Sequence, residues 1–167
     1  MKDVYVEWMV SKKRSLTDKI MRAASIVVLV ISILLLLLTG SMILFIVAIA
    51  AGVGAYFAFN YTDVEYEYVY INGELSIDRI LAKSKRKRIE RLDTGRVEVV
   101  APLKSRWLDG HVHKKYRECD YTTGVVTPNS HIFVMYYNEG KKILFEPSRE
   151  FMEAMKATLP HKVHLDM

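Results

Sequence analysis

The chain has very little cysteine. Among its 167 residues, Cys119 is the single thiol. A disulfide needs two thiols and a thiolate metal cluster needs several, so neither can form within one chain. Cys119 also lies between Glu118 and Asp120, and neighbouring carboxylates disfavour the thiolate, which is the nucleophilic form. We therefore expect no disulfide and no catalytic cysteine, which agrees with a cytoplasmic location for the polar part of the chain.

The sequence also lacks the motifs of common catalytic centres. It has no glycine-rich phosphate loop, no G-x-S-x-G and no H-E-x-x-H. His111 and His113, with Asp109 nearby, form one histidine pair, and His161 and His164 form another. A zinc site needs three or four converging ligands, and nothing in the sequence brings the two pairs together. We expect a noncatalytic protein without metal or cofactor.

Charge is absent from Ala23 to Thr62, a run of forty residues. Thr39-Gly40-Ser41 divides the run into halves of about 20 residues, and each half is long enough as a helix to cross the ~30 Å core of a bilayer. We predict a transmembrane helical hairpin over 23–62, with spans at about 23–38 and 42–59. Because neither span holds a charge, transport of ions or protons through the hairpin alone lacks its usual marker.

Two other interpretations of this run are weaker. Ala48-Ile49-Ala50 resembles the cleavage site of a signal peptide, but the apolar stretch before it exceeds the usual 7 to 15 residues. A pair of soluble core helices is the second alternative. Helices that are apolar all round must be fully covered, and the roughly 105 residues that follow are too few to cover two of them.

The flanks of the hairpin predict its orientation. Residues 1–22 carry six basic and three acidic side chains, a net charge of +3. By the positive-inside rule, we expect both termini in the cytoplasm. Aromatic and basic side chains near the predicted membrane surface suit the headgroup region, although the arm of residues 1–22 has the alternative of packing on the soluble domain. The predicted interface residues are Trp8, Lys12, Lys13, Arg14, Tyr56 and Tyr61.

Small residues recur at intervals of four in the second span. Ala50 with Gly54 and Ala51 with Ala55 have the small-xxx-small spacing that lets two helix backbones approach closely. In a segment this rich in alanine and glycine, the same spacing also arises by chance. A helix-packing face and simple composition therefore both remain open.

Residues 63–167 begin with a clear β-hairpin. Val64 to Ile71 alternates with tyrosines on one face, and Asn72-Gly73 is the dipeptide favoured in two-residue turns because both positions tolerate positive φ. A second strand follows in Glu74 to Ala82. The tyrosine row is either a ligand surface or, as we expect, a face packed against a neighbouring element.

The remainder predicts further strands and one helix. Strands are expected through Ile89 and Leu92, over Val97–Val100, less regularly over His113–Tyr121, and in a hairpin of Ile132–Tyr137 and Lys142–Glu146 around an Asn138-Glu139-Gly140 turn. Trp107 and Leu108 are expected to tuck inward. A helix at about 149–159, with Ser148 as its N-cap, has an apolar stripe. Six or seven strands in meander order would form an antiparallel sheet system closed by this helix.

The chain carries in order two N-terminal spans, an E-Y-x-Y strand, N-G-E-L-S-I-D at Asn72–Asp78, a basic hairpin, and F-E-P-S-R-E-F-M-E-A-M at Phe145–Met155. This layout resembles an uncharacterised family of bacterial two-span membrane proteins with a cytoplasmic pleckstrin-homology-like (PH-like) domain. The resemblance implies a mainly-β barrel of about seven strands capped by a C-terminal α-helix. It also implies a binding or scaffold module.

The sharpest polar feature is a basic run comprising Lys83, Lys85, Arg86, Lys87 and Arg88. Residues 79–91 carry a net charge of +6 and the rest of residues 63–167 carry −4, so the patch is local and we expect no nucleic-acid partner. Three interpretations remain open: contact with the anionic leaflet, a solvated turn whose charges prevent edge pairing, and a headgroup site of the kind the resemblance implies.

Together these features predict a membrane-anchored interaction module that binds a protein partner, a second copy or the lipid surface. The alternative is an accessory subunit of a larger transport or envelope assembly, in which the transmembrane helices contact the partners.

Overall fold

The computed structural model describes residues 4–111, 113–126, 130–138 and 140–166. The elements are β1 (Tyr5–Ser11), α1 (Leu16–Thr39), α2 (Met42–Tyr61), β2 (Val64–Ile71), β3 (Glu74–Leu81), β4 (Lys85–Asp93), β5 (Val97–Pro102), β6 (Arg117–Asp120), β7 (Phe133–Tyr137), β8 (Lys141–Phe145) and α3 (Arg149–Thr158). The chain divides into a helical unit, Arg14–Val64 with Leu81–Lys85, and a sheet unit, Met1–Lys13 with Glu65–Ile80 and Arg86–Met167.

Within the helical unit, α1 and α2 form the predicted hairpin. Gly40 ends α1 with a φ of +61°, and its amide donates to the carbonyl of Leu36 at 2.9 Å. A left-handed glycine is a common helix stop because it carries no Cβ to clash. The α1 helix begins at Leu16, well before the predicted Ala23, since the Asp18 carboxylate accepts a hydrogen bond from the Ser15 amide and caps the first turn.

The first sheet has the order β1-β2-β3-β4. The Asn72-Gly73 turn connects β2 and β3 as predicted, and both residues have positive φ, +46° and +90°. The strand β1 is new, because it comes from the N-terminal arm. It pairs antiparallel with β2 from Tyr5 opposite Ile71 to Ser11 opposite Glu65. The residues of β1 therefore pack on the rest of the sheet, which was the alternative to an interfacial arm. The sheet domain includes residues from both sides of the helical hairpin.

The second sheet has the order β5-β7-β8-β6, and here the predicted meander is wrong. The helical turn at Arg106–His111 precedes β6, which then pairs in parallel with β8 at the sheet edge. Local alternation reveals a strand but not its partner, so the sequence pattern could not show this crossover. The described strands form two four-stranded sheets, and their hydrogen bonding does not close them into a barrel. Glu139, in the predicted β7–β8 turn, lies outside the described residues.

The sheet-unit core forms around the tyrosine face and α3. Tyr68 and Tyr70 are fully buried, and Tyr68 packs edge-on against Phe145 and Phe151. The Ser148 side chain accepts a hydrogen bond from the Phe151 amide, so the predicted cap is confirmed. The structure also confirms the tyrosine row as a packed face.

The prediction that Trp107 tucks inward is wrong. Leu108 is buried as expected, but Trp107 is 56% exposed. Its indole stacks on the His164 ring, with the centroids 3.7 Å apart. The short helical turn places adjacent side chains in different directions, so only one of the two can point inward.

Candidate membrane-facing and partner-binding sites

Both α1 and α2 are long and apolar enough to cross a bilayer. Only 6% of the most apolar part of each helix is buried inside the protein. Most of the large side chains of both helices are therefore exposed. In a water-soluble protein such contiguous apolar surface marks a contact with lipid or another protein.

Arg22 fastens the open end of the helical hairpin. Its guanidinium donates to the Thr62 hydroxyl and, at 2.9 Å, to the carbonyl of Phe59. It also lies 4.8 Å above the centre of the Phe59 ring. The cation thereby satisfies a backbone acceptor at the C-terminal end of α2, where the helix dipole favours positive charge. The sequence prediction, which began the span at Ala23, placed Arg22 outside the helix.

The predicted helix-packing residues divide into two sets. Ala55 is buried and Ala51 is half-buried, whereas Ala50 and Gly54 are exposed. Ala51, Gly54 and Ala55 line an open apolar groove beside Ala24 of α1. The small residues therefore allow α1 and α2 to approach each other and leave a shallow groove on one side of the pair.

The predicted interface aromatics also divide. Tyr56 and Tyr61 of α2 are 65% and 68% exposed, as an interface position requires. Trp8 instead belongs to β1, and its indole N–H donates to the carbonyl of Glu146 at 3.1 Å. Contact of Trp8 with lipid stays a prediction.

The turn between β3 and β4 lies at the end of the helical hairpin. The amide of Ala82 donates to the carbonyl of Asp63, 2.9 Å away, and Asp63 comes just after α2. Arg14, which precedes α1, forms an ion pair of 3.2 Å with the Asp63 carboxylate. Asp63 therefore joins the start of α1, the end of α2 and this turn, and we call the arrangement the Asp63 junction.

Two cations of the basic run lie in or next to the turn of the Asp63 junction. Lys83 and Lys85 belong to the helical unit, and both side chains are exposed. Ala82 and Lys83 have positive φ, +49° and +54°, a conformation that costs non-glycine residues energy and that the surrounding hydrogen bonds must stabilise. The turn therefore has a defined position beside the C-terminal end of α2.

The two arginines of the basic run are already paired. Arg86 and Arg88 each approach the Asp78 carboxylate at 3.1 Å, and Arg86 also pairs with Glu67. The Asp78 side chain is only 4% exposed, so the arginines neutralise a buried charge. In the described part of the chain, Lys83, Lys85 and Lys87 form no such ion pair. The sequence showed a uniform basic run because the carboxylates that divide it lie on β2 and β3.

The remaining predicted cations lie beside β1. The Lys13 amide donates to the carbonyl of Thr123 at 2.8 Å, and the side chains of Lys12 and Lys13 are both exposed.

Near the C-terminal end of β4, Arg91 hydrogen-bonds to Glu74, and this bond holds the pKa of the Glu74 carboxyl below its ordinary value.

The histidines have separate environments. His111 lies 2.9 Å from the Glu98 carboxylate and stacks on Tyr136, whereas His164 stacks on Trp107. Among the described residues, no three histidine, cysteine, aspartate or glutamate side chains converge as metal ligands would. Cys119 is half-buried in β6.

Two sheets with a C-terminal helix, attached to a hairpin of two apolar helices, define a PH-like protein with a candidate membrane anchor. The family described as bacterial PH-like domain (DUF6106) matches residues 2–165, and the chain belongs to this family. No curated protein and no solved structure matches the chain.

Proposed function

We propose that the protein is a noncatalytic interaction module of the cell membrane, with both termini in the cytoplasm and its PH-like sheet unit at the inner leaflet. Its α1 and α2 helices are the anchor. The flanks of the hairpin carry the cations, including Lys19 on the first turn of α1, while the Gly40-Ser41 link is uncharged.

The Asp63 junction is the observation that carries the proposal. If α2 ends at the membrane surface, the hydrogen bond between Ala82 and Asp63 holds Lys83 and Lys85 at headgroup depth. Each Lys or Arg near an anionic surface contributes about 1 kcal/mol. Arg86 and Arg88 are not part of the leaflet contact in this proposal, because they form ion pairs with Asp78 and Glu67.

A spin label at Ser84 tests this contact in the full-length protein. The label is introduced as Ser84→Cys in a Cys119→Ser background, in lipid nanodiscs with and without phosphatidylglycerol. Its relative accessibility to oxygen, which enters lipid, and to a water-soluble nickel chelate reports its depth. We expect the label at headgroup depth, and closer to the lipid when phosphatidylglycerol is present.

The matched variants separate local contact from net charge. Lys83→Ala with Lys85→Ala should abolish the response to phosphatidylglycerol, whereas Lys104→Ala with Lys115→Ala removes the same charge from other exposed positions and should preserve it. A label that is fully water-accessible in both lipid mixtures would refute the leaflet contact.

A second candidate, an accessory subunit of a larger membrane assembly, is favoured by the open groove beside Ala24, Ala51 and Gly54. A partner helix in this groove would bury small side chains at close backbone distance. Gly54→Leu would fill the groove, and co-purification of a stoichiometric partner with the wild type but not with this variant would favour the assembly.

A further inference from the structure

The outer edge of β1, a strand against which α3 packs, is the least protected sheet edge in the described part of the chain. Exposed strand edges pair with other chains unless charge, proline, bulges or covering segments prevent it. The β4 edge carries the exposed basic run, and β6 is only four residues long with three charged side chains. The β5 edge is covered, because Val100 exchanges two hydrogen bonds of 2.8 Å with the backbone of Lys162 and His164.

The edge of β1 has the opposite character. Seven residues pair with β2 in unbroken register, and the strand contains no lysine, arginine or proline. Tyr5, Trp8 and Met9 are 58%, 42% and 50% exposed. Long, regular and apolar edges are the ones that attract a further strand.

The hydrogen bonds around β1 show which backbone groups are open. Val4 and Asn72 are joined by two hydrogen bonds of 3.1 Å, so the backbone of Val4 faces β2. Backbone direction alternates along a strand, so the peptide groups of Tyr5, Glu7, Met9 and Ser11 face away from β2. The Lys13 amide, in the same phase, donates to Thr123, which closes the row just beyond Ser11.

Two pockets beside β1 indicate what an added strand would carry. One has a volume of about 430 Å³ and combines an apolar wall of Trp8, Val10 and Pro147 with polar residues that include His131 and Arg149. The other, of about 260 Å³, is lined by Glu7, Trp8, Met9 and Glu67, so Trp8 borders both pockets. Glu67 is neutralised by Arg86, so Glu7 supplies the negative charge there. Side chains of an added strand point alternately to the two sides of the sheet, and hence to the two pockets.

We propose that the outer edge of β1 binds an extended segment of a partner protein by strand addition. The segment carries apolar side chains at alternate positions and a lysine or arginine opposite Glu7. The inference refines the partner-binding half of the proposed function, but it uses other residues than the leaflet contact.

Full-length protein in a neutral detergent provides the test. The probe is an acetylated nine-residue peptide in which valine alternates with lysine or threonine, and binding is measured by fluorescence polarisation. A peptide of the same sequence with N-methyl groups on alternate amides, placed to face β1, is the chemical control. We expect the plain peptide to bind and to protect the amides of Tyr5, Glu7 and Met9 from hydrogen exchange, and the methylated peptide to bind at least ~10-fold more weakly.

Met9→Pro is the sharpest protein variant. It removes an outward donor and leaves every hydrogen bond between β1 and β2 in place, and proline is tolerated on strand edges that face solvent. We expect an unchanged melting temperature and roughly 10-fold or greater loss of peptide affinity, while Met9→Ala retains binding. Lys83→Ala with Lys85→Ala should also retain peptide binding, so the outcome of this test does not depend on the leaflet contact.

Three results would overturn the proposal. One is the absence of peptide binding to the wild type, and another is equal affinity of the wild type and Met9→Pro. The third is concentration-dependent dimerisation of the wild type that Met9→Pro abolishes, because the occupant of the edge would then be a second copy of this chain.

Discussion

At the scale of single residues, Tyr68 shows how a core side chain combines packing with a polar contact. Its ring is buried between Phe145 and Phe151, and its hydroxyl donates to the carbonyl of Tyr121 at 2.6 Å. The same hydroxyl accepts a longer hydrogen bond, 3.3 Å, from the Glu146 amide. Tyr68 therefore ties β2 to the segments that follow β6 and β8.

The buried hydroxyl predicts a loss of stability at alkaline pH. Burial raises the pKa of Tyr68 well above its ordinary value of 10, and burial together with the Glu90 carboxylate raises that of Tyr121. The unfolded chain then loses these protons first as pH rises. The contribution to stability is complete below pH 10 and declines above it, by about 1.4 kcal/mol per tyrosine at pH 11.

Denaturant unfolding of the sheet unit between pH 8 and pH 11 measures this effect. Tyr68→Phe should be less stable than the wild type at pH 8, because it leaves the Tyr121 carbonyl and the Glu146 amide with one partner fewer. Its stability should fall less between pH 9 and pH 11. If the stability of the two proteins falls equally between pH 9 and pH 11, the Tyr68 hydroxyl does not cause the loss of stability at alkaline pH.

At the scale of elements, the clearest predictions came from segments whose partner is adjacent in sequence. The β2–β3 hairpin follows from alternation and from Asn72-Gly73, and α3 follows from Ser148 and its apolar stripe. The strand β1 was not identifiable in this way, since Ser11 pairs with Glu65 across the whole apolar hairpin. The pairing of Arg86 with Asp78 likewise depends on contacts between strands, which residue spacing does not contain.

Gly73→Ala should destabilise the β2–β3 hairpin. Gly73 has a φ of +90°, which strains a residue that carries a Cβ, whereas the added Cβ itself would make an ordinary contact of 3.4 Å with the Thr94 hydroxyl. We expect a loss of about 1–2 kcal/mol in the free energy of unfolding. Gly110→Ala is the matched control, because a Cβ there meets no atom within 4 Å, and it should change stability by less than ~0.5 kcal/mol. Equal effects of the two substitutions would show that the positive φ at Gly73 does not limit the free energy of unfolding.

At the scale of the whole molecule, the apolar hairpin is an insertion into the sheet domain. The β1 strand precedes α1 and its partner β2 follows α2, so a chain starting at Asp63 would lack an edge strand. Val10, which is buried in the complete sheet, would be missing, and Tyr66, the residue paired with it, would lose that cover. A boundary at residue 63 separates the apolar hairpin from the chain that follows, but it also separates β1 from its partner β2.

This arrangement predicts that the sheet unit folds alone only when β1 is kept. Residues 4–15 joined to residues 63–166 by a flexible linker of about five residues can retain the pairing, because Arg14 already contacts Asp63. This chimera should be a monomer with a cooperative unfolding transition. The fragment of residues 63–166 should be less stable by at least ~2 kcal/mol, the contribution of one buried aliphatic side chain, and should aggregate through the uncovered edge of β2. Size-exclusion chromatography with light scattering and thermal unfolding compare the two. A monomeric fragment as stable as the chimera would show that β1 is dispensable to the fold, whereas a difference would establish that the two sides of the hairpin build one domain.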